Sequence, residues 1–285
     1  MKSMPLALAI VAFFTHEALA QSSVDTLAKI KTTNMIAVAY SPDSLPFSLA
    51  GANGEPSGYT IELCKRAIAQ IGRAVGSPGL KVNWIAGSVG ERLDMIASGR
   101  AQLECANTTP TQSRLAKVDF SNLIFVDSGG LLVKVGSPIR STSDLSGKRV
   151  AVLKGTTMET RLNESLRRRL IDVKLVPIPN AVDGIAMLES GDADVYAGDK
   201  VKLVGLMATA KDPTAFALLA EDLTFEPYAL ALPRGDSALR LEVNKALTQV
   251  YTSPDIEMIF TQHMGKLGRP SAVLATMYLL NSIPE

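Results

Sequence analysis

Apolar residues recur along this chain with two periods. Short β-prone runs such as Ile36-Ala-Val-Ala-Tyr40 and Val150-Ala-Val-Leu-Lys154 end in loops, at Ser41 and Gly155. Between such runs, apolar positions return at helical spacing. Ile61, Cys64, Ala67, Ile68 and Ile71 share one face of a helix that Thr60 is placed to cap. A second helix ends over Asp94 to Ser98, and a third, capped by Thr156 or Thr157, runs through Arg161 and Leu166. Strands that alternate with helices imply parallel sheets, because a parallel neighbour is reached only through a crossover. An α/β fold is expected. In such folds small ligands settle beyond the carboxyl ends of the strands, where loops and helix N-termini converge. Ser41, Asn107 to Thr109, Gly155 to Thr157 and Asp199 all fall there.

A faint internal duplication sharpens this. Met95-Ile-Ala-Ser-Gly-Arg-Ala-Gln-Leu103 and Met187-Leu-Glu-Ser-Gly-Asp-Ala-Asp-Val195 each read as a helix end, a Ser-Gly turn and a short strand. Gly99 and Gly191 suit the left-handed residue that closes a helix. The same step forward from each Met lands on Asn107 and Asp199. The two β-prone runs lie 114 residues apart and the two Met segments 92, so the first half carries an insertion. Two α/β lobes of similar topology, with facing loops, define a cleft.

Composition removes several function classes. With 29 Lys plus Arg against 28 Asp plus Glu, the chain lacks the basic excess that nucleic-acid binding requires. Two histidines (His16 and His263) and two cysteines cannot furnish a His/Cys zinc site or an iron–sulfur cluster, and no cofactor is expected. Residues 1–20, with Lys2, an apolar run from Pro5 to Phe14 and the small residues of Ala18-Leu19-Ala20, read as a secretory signal peptide, too short to span a bilayer. Export permits a Cys64–Cys105 disulfide, though both could equally be buried thiols.

The charges near the strand ends suggest a ligand. Arg114 follows Asn107-Thr108-Thr109 by a few residues, and a guanidinium grips a carboxylate with two parallel hydrogen bonds. Thr157 opens a helix, so its N–H and hydroxyl can both face an anion. Asp199, from the other lobe, could receive an ammonium. Together they describe a site for a zwitterion, an α-amino acid. The plainer alternatives are a surface Arg114–Asp119 bridge, Asp199 as a solvated helix cap and Thr156-Thr157 as an ordinary helix start.

Asn107-Thr108-Thr109-Pro-Thr-Gln-Ser-Arg114, followed by Val118-Asp119-Phe120-Ser121, resembles the signature of periplasmic amino-acid-binding proteins of ABC importers, solute-binding family 3. Pro46-Phe47-Ser48, Gly58-Tyr59-Thr60-Ile61-Glu62-Leu63, Leu145-Ser-Gly-Lys-Arg-Val150, Gly155-Thr156-Thr157 and Leu232-Pro-Arg-Gly-Asp236 extend the likeness along most of the chain, nearest the glutamate/aspartate branch. The resemblance implies a two-lobed periplasmic-binding-protein type II fold, with two parallel-rich sheets joined by crossover strands near Phe125–Gly129 and Phe225–Ala229. Lobe one would combine residues 21–126 and 228–285; lobe two would be 127–227. By the family pattern Arg114 with the Thr109 and Thr157 N–H groups binds the α-carboxylate, Asn107 contacts the ligand, and Asp199 receives the α-ammonium.

Specificity departs from that branch. Its side-chain-binding arginine, six residues before the Pro-Phe phenylalanine, is Ser41 here; an expected serine is Val89, and a histidine near the second lobe's helix is Ala181. Arg92 matches a basic position of the branch. A buried carboxylate missing one charged partner loses several kcal/mol, so a small or polar neutral amino acid is expected, with Arg92 keeping an acidic one open. Phe47 stacks on the ligand or belongs to the core, and Trp84 is expected in the core. The implied protein is a periplasmic monomer that hands a free L-amino acid to a membrane permease and an ATPase; it has no Gly-x-x-x-x-Gly-Lys loop of its own. The competing readings are a prephenate- or arogenate-type dehydratase on the same scaffold, with Asp199, Glu159 or Glu104 as its acid or base, and a ligand-sensing module.

Overall fold

The computed structural model describes residues 25–283, so the segment read as a signal peptide lies outside the described residues. The first lobe begins with α1 (Thr26–Thr33), β1 (Met35–Tyr40), a hairpin of β2 (Asp43–Ser44) and β3 (Ser48–Leu49), and α2 (Tyr59–Ala74). It continues with β4 (Lys81–Ala86), α3 (Val89–Ala97), β5 (Leu103–Cys105) and the single turn α4 (Gln112–Leu115). The 17-residue strand β6 (Val118–Lys134) then leaves it. The second lobe follows as β7 (Arg149–Leu153), α5 (Thr157–Arg168), β8 (Lys174–Ile178), α6 (Ala181–Ser190), β9 (Val195–Asp199), α7 (Lys200–Met207) and β10 (Phe216–Leu218). The chain returns along β11 (Thr224–Pro233) and ends with α8 (Ser237–Tyr251), α9 (Asp255–Met264) and α10 (Ala272–Leu280). No described helix is long and apolar enough to cross a membrane.

The expected α/β alternation is present, and the outer strands pair in parallel, β4 and β5 on β1, β8 and β9 on β7. The two expected crossover strands make the joint. β6 and β11 run antiparallel to each other and bond to β9 and β5 respectively, so one nine-stranded sheet, ordered β4-β1-β5-β11-β6-β9-β7-β8 with β10 also paired to β6, passes through both lobes. Strands this long satisfy their own backbone groups across the joint, which needs no sheet edge there. The buried apolar side chains still separate. One cluster draws on β1, α2, α8, α9 and α10, and two others lie wholly within residues 131–219.

Local chemistry explains the helix starts. Thr156 caps α5 by accepting from the Glu159 N–H at 3.2 Å. Thr60 does not cap α2. The helix begins two residues earlier than a Thr60 cap would set it, with Gly58 as N-cap, and the Thr60 hydroxyl is buried without a partner. Gly58 is required there: its φ is +126°, and a Cβ would collide with the Phe47 carbonyl. Gly99 and Gly191 do take positive φ, at 71° and 82°, after α3 and α6. Cys64 on α2 and Cys105 at the end of β5 form a disulfide with their Cα atoms 6.2 Å apart, which ties that helix to the sheet. Trp84 is half-buried against the first core, edge-on to Tyr40.

Candidate ligand-binding site

A pocket lies between the lobes, beyond the carboxyl ends of β1, β5, β7 and β9. Ser41, Arg92, Asn107, Thr109, Arg114, Thr157 and Asp199 all line it. The two residues related by the internal duplication meet: the Asn107 side-chain amide donates to Asp199 Oδ2 at 3.1 Å. Phe47 is the exception among the candidates. It is fully buried, and its ring packs edge-on against Tyr59, Phe125 and Tyr228, so it belongs to the core and not to the cleft. The aromatic contacts take up the faces that a ligand would need.

Arg114 does not make the plain surface bridge. Asp119 pairs with Arg240 at 3.6 Å. The Arg114 guanidinium donates to the carbonyls of Thr109 at 2.7 Å and, across the cleft, Gly155 at 3.3 Å. Those two bonds hold the planar fork facing the pocket with donors to spare. Burial pulls its pKa down, opposed by the charges of Glu104 and Glu226.

The hinge strands contribute groups that the sequence reading passed over. Glu226 on β11 is buried, and its Oε2 accepts from the Thr109 hydroxyl at 2.5 Å and the Thr157 hydroxyl at 2.8 Å, one from each side of the cleft. Both hydroxyls are therefore directed at the protein's own carboxylate. Directly opposite Glu226 in the strand register stands Asp127. Asp127 accepts from the Val201 N–H at 3.1 Å and from the Tyr228 hydroxyl at 3.3 Å, and that hydroxyl also reaches Asp199 at 2.8 Å.

Crowded carboxylates raise each other's affinity for protons. Asp199 is pushed up to about 6, first by burial and then by Glu226, against the opposing pull of Lys202, Tyr228 and Asn107. Asp127 is pushed up to about 7, first by burial and then by the Asp199 charge. An acidic residue inside each apolar crossover, Phe125-Val-Asp127 and Phe225-Glu226-Pro, was the legible signal: charge in a buried strand needs a reason.

At the far end of the pocket Ser41 donates its hydroxyl to Asp43 Oδ1 at 3.1 Å. Arg92 is sealed in: its Nε bonds Glu104 Oε1 at 2.7 Å and its Nη1 the Gly87 carbonyl at 2.8 Å. Glu104 also accepts from the Thr108 hydroxyl at 2.8 Å. Lys202 completes that end. Among the described residues no group of His, Cys, Asp and Glu is arranged to hold a metal ion.

Two α/β lobes joined by two strands, with the cleft at their junction, make this a type II periplasmic-binding-protein architecture. The solute receptor for L-cysteine of Neisseria gonorrhoeae superposes with a TM-score of 0.74 at 25% identity, over 86% of this chain and 97% of that one. The chain belongs to the bacterial extracellular solute-binding proteins, family 3, whose profile matches residues 36–266. It is 32% identical to the L-glutamate/L-aspartate-binding protein of Pseudomonas aeruginosa, over 88% of this chain and 83% of that protein. An ABC transporter glutamine-binding protein of Bacillus subtilis is 29% identical over 86% of each chain.

Proposed function

We propose that this protein is an extracytoplasmic receptor that captures a free L-amino acid between its lobes and delivers it to the permease and ATPase of an ABC importer. The observation that carries the reading is the placement of Arg114 and Asp199, opposite charges from opposite walls of one pocket. In this reading residues 21–126 with 228–285 form one jaw and 127–227 the other. Arg114 and the N–H groups of Thr109 and Thr157 hold the α-carboxylate, while Asp199, steadied by Asn107 and Tyr228, takes the α-ammonium. A ligand that touches both jaws stabilises their contact over any open form. The jaws already meet in this structure through Asn107–Asp199, Arg114–Gly155 and the bond from the Ala181 N–H to Asp43 at 2.7 Å.

The protein is read as a periplasmic monomer and a binder without turnover. A thermal-shift screen against the twenty amino acids tests this, since a ligand bound only by the folded chain raises its stability. One or a few L-amino acids are expected to give a shift that Arg114→Ala abolishes. Prephenate and arogenate are expected to yield no product. Failure of all twenty to shift the transition overturns the receptor reading.

A further inference from the structure

One end of the pocket is not used by the grip on the α-amino and α-carboxyl groups. Lys202, on the first turn of α7, is only 7% exposed and lines that end. It forms no hydrogen bond or ion pair with any described residue, and burial depresses its pKa against the opposing charges of Asp43 and then Asp199. A buried ammonium without a hydrogen-bond acceptor is strongly unfavourable, so an acceptor has to come from whatever fills the pocket.

Asp43 lines the same end. One of its oxygens takes the Ser41 hydroxyl at 3.1 Å and the other the first N–H of α6, from Ala181, at 2.7 Å. Each oxygen retains acceptor capacity. The far end thus presents a donor and an acceptor of opposite charge that are not bonded to each other.

Three places could have received a ligand's second carboxylate, and each is either uncharged or already engaged by the protein's own groups. Position 41 carries a serine. Arg92 is neutralised by Glu104 at 2.7 Å, both side chains shut away from water. The α6 N-terminus, a natural anion site, already holds the Asp43 carboxylate. Asp43 stands beside Lys202 at this end, so an anionic side chain that reached the lysine would also meet a like charge.

We propose that Lys202 and Asp43 read a side-chain carboxamide, which makes the ligand L-glutamine or L-asparagine. The amide oxygen accepts from Lys202 Nζ, the amide NH2 donates to Asp43, and no net charge is added. This inference rests on the receptor reading above and narrows it to one ligand class.

Isothermal titration of the mature chain with L-glutamine, L-asparagine, L-glutamate, L-aspartate and L-norvaline tests it. L-Norvaline keeps the aliphatic stem and lacks the amide. One carboxamide is expected to bind at least tenfold tighter than its acid and than norvaline. Lys202→Met is expected to cut the carboxamide-to-norvaline affinity ratio tenfold or more. Asp43→Asn keeps an acceptor for the Ala181 N–H and removes the charge, so the acid-to-amide affinity ratio is expected to rise at least tenfold; it carries the test if Lys202→Met fails to fold. An acid that binds wild type as tightly as its amide, or norvaline that equals the amide, overturns the inference and leaves the receptor standing. Silence from all five, with another of the twenty amino acids giving a thermal shift, overturns the inference and leaves the receptor standing; silence from all twenty removes both.

Discussion

Asp199 ties ligand affinity to pH in a way that can be calculated. With its pKa raised to about 6, it carries a proton in most free molecules at pH 5, and a protonated carboxyl offers an ammonium no charge. If the bound ammonium holds the carboxyl ionised, the observed affinity scales with the ionised fraction in the free protein. That fraction is nearly complete at pH 7.5 and roughly one in eleven at pH 5, a loss of about 1.4 kcal/mol, or close to tenfold. The carboxyl of Asp127, raised to about 7, is coupled to it through the shared Tyr228 hydroxyl, so the pair should titrate in two overlapping steps. Titration calorimetry at pH 5, 6, 7 and 8, in buffers of different ionisation enthalpy at constant salt, measures both the affinity and the protons released. The expected result is weaker binding and net proton release toward acid. Glu226→Gln removes a charge that raises Asp199, so it should move the midpoint to lower pH. An affinity that stays flat from pH 5 to pH 8, with the protein folded by circular dichroism throughout, would refute the assignment of Asp199 as the ammonium's partner.

Other tests address closure and stability. A Cβ at Gly205 of α7 would lie 2.9 Å from the Leu45 carbonyl oxygen across the cleft, so Gly205→Val should wedge the jaws. Overpacking of about 1–3 kcal/mol confined to the closed form predicts binding weakened roughly tenfold, with little change in the ligand-free melting temperature. The Cys64–Cys105 bridge closes a separation of 41 residues, worth about 4 kcal/mol in the chain-entropy account. Replacing both cysteines by alanine should lower the urea midpoint accordingly, and an unchanged midpoint would count against the bridge. Asp127 has a pKa raised above that of the unfolded chain, so the folded form holds the proton more tightly and ligand-free stability should fall as pH rises from about 4 through about 7. Denaturant unfolding should show Asp127→Asn gaining on wild type across that window, by on the order of 4 kcal/mol at most.

Much of the architecture was legible before any coordinates. Helical and strand periods, with Gly99 and Gly191 closing equivalent helices, define the α/β alternation because those signals are local: each depends on residues within a turn or two. The same locality placed Asn107, Arg114, Thr157 and Asp199 at strand ends and helix starts, and all four line one pocket. Relations between distant segments were not legible. Phe47 lies in an aromatic core because Tyr59, Phe125 and Tyr228 arrive there from other elements. Arg92 on α3 is answered by Glu104 on β5, and Glu226 gathers hydroxyls from both sides of the cleft, only once helices and loops dock on the sheet. Cys64 and Cys105 were equally consistent with free thiols until α2 was laid on β5. Periodicity assigns a residue to an element and a face. Which charge meets which depends on how the elements dock, and burial then sets what each meeting is worth.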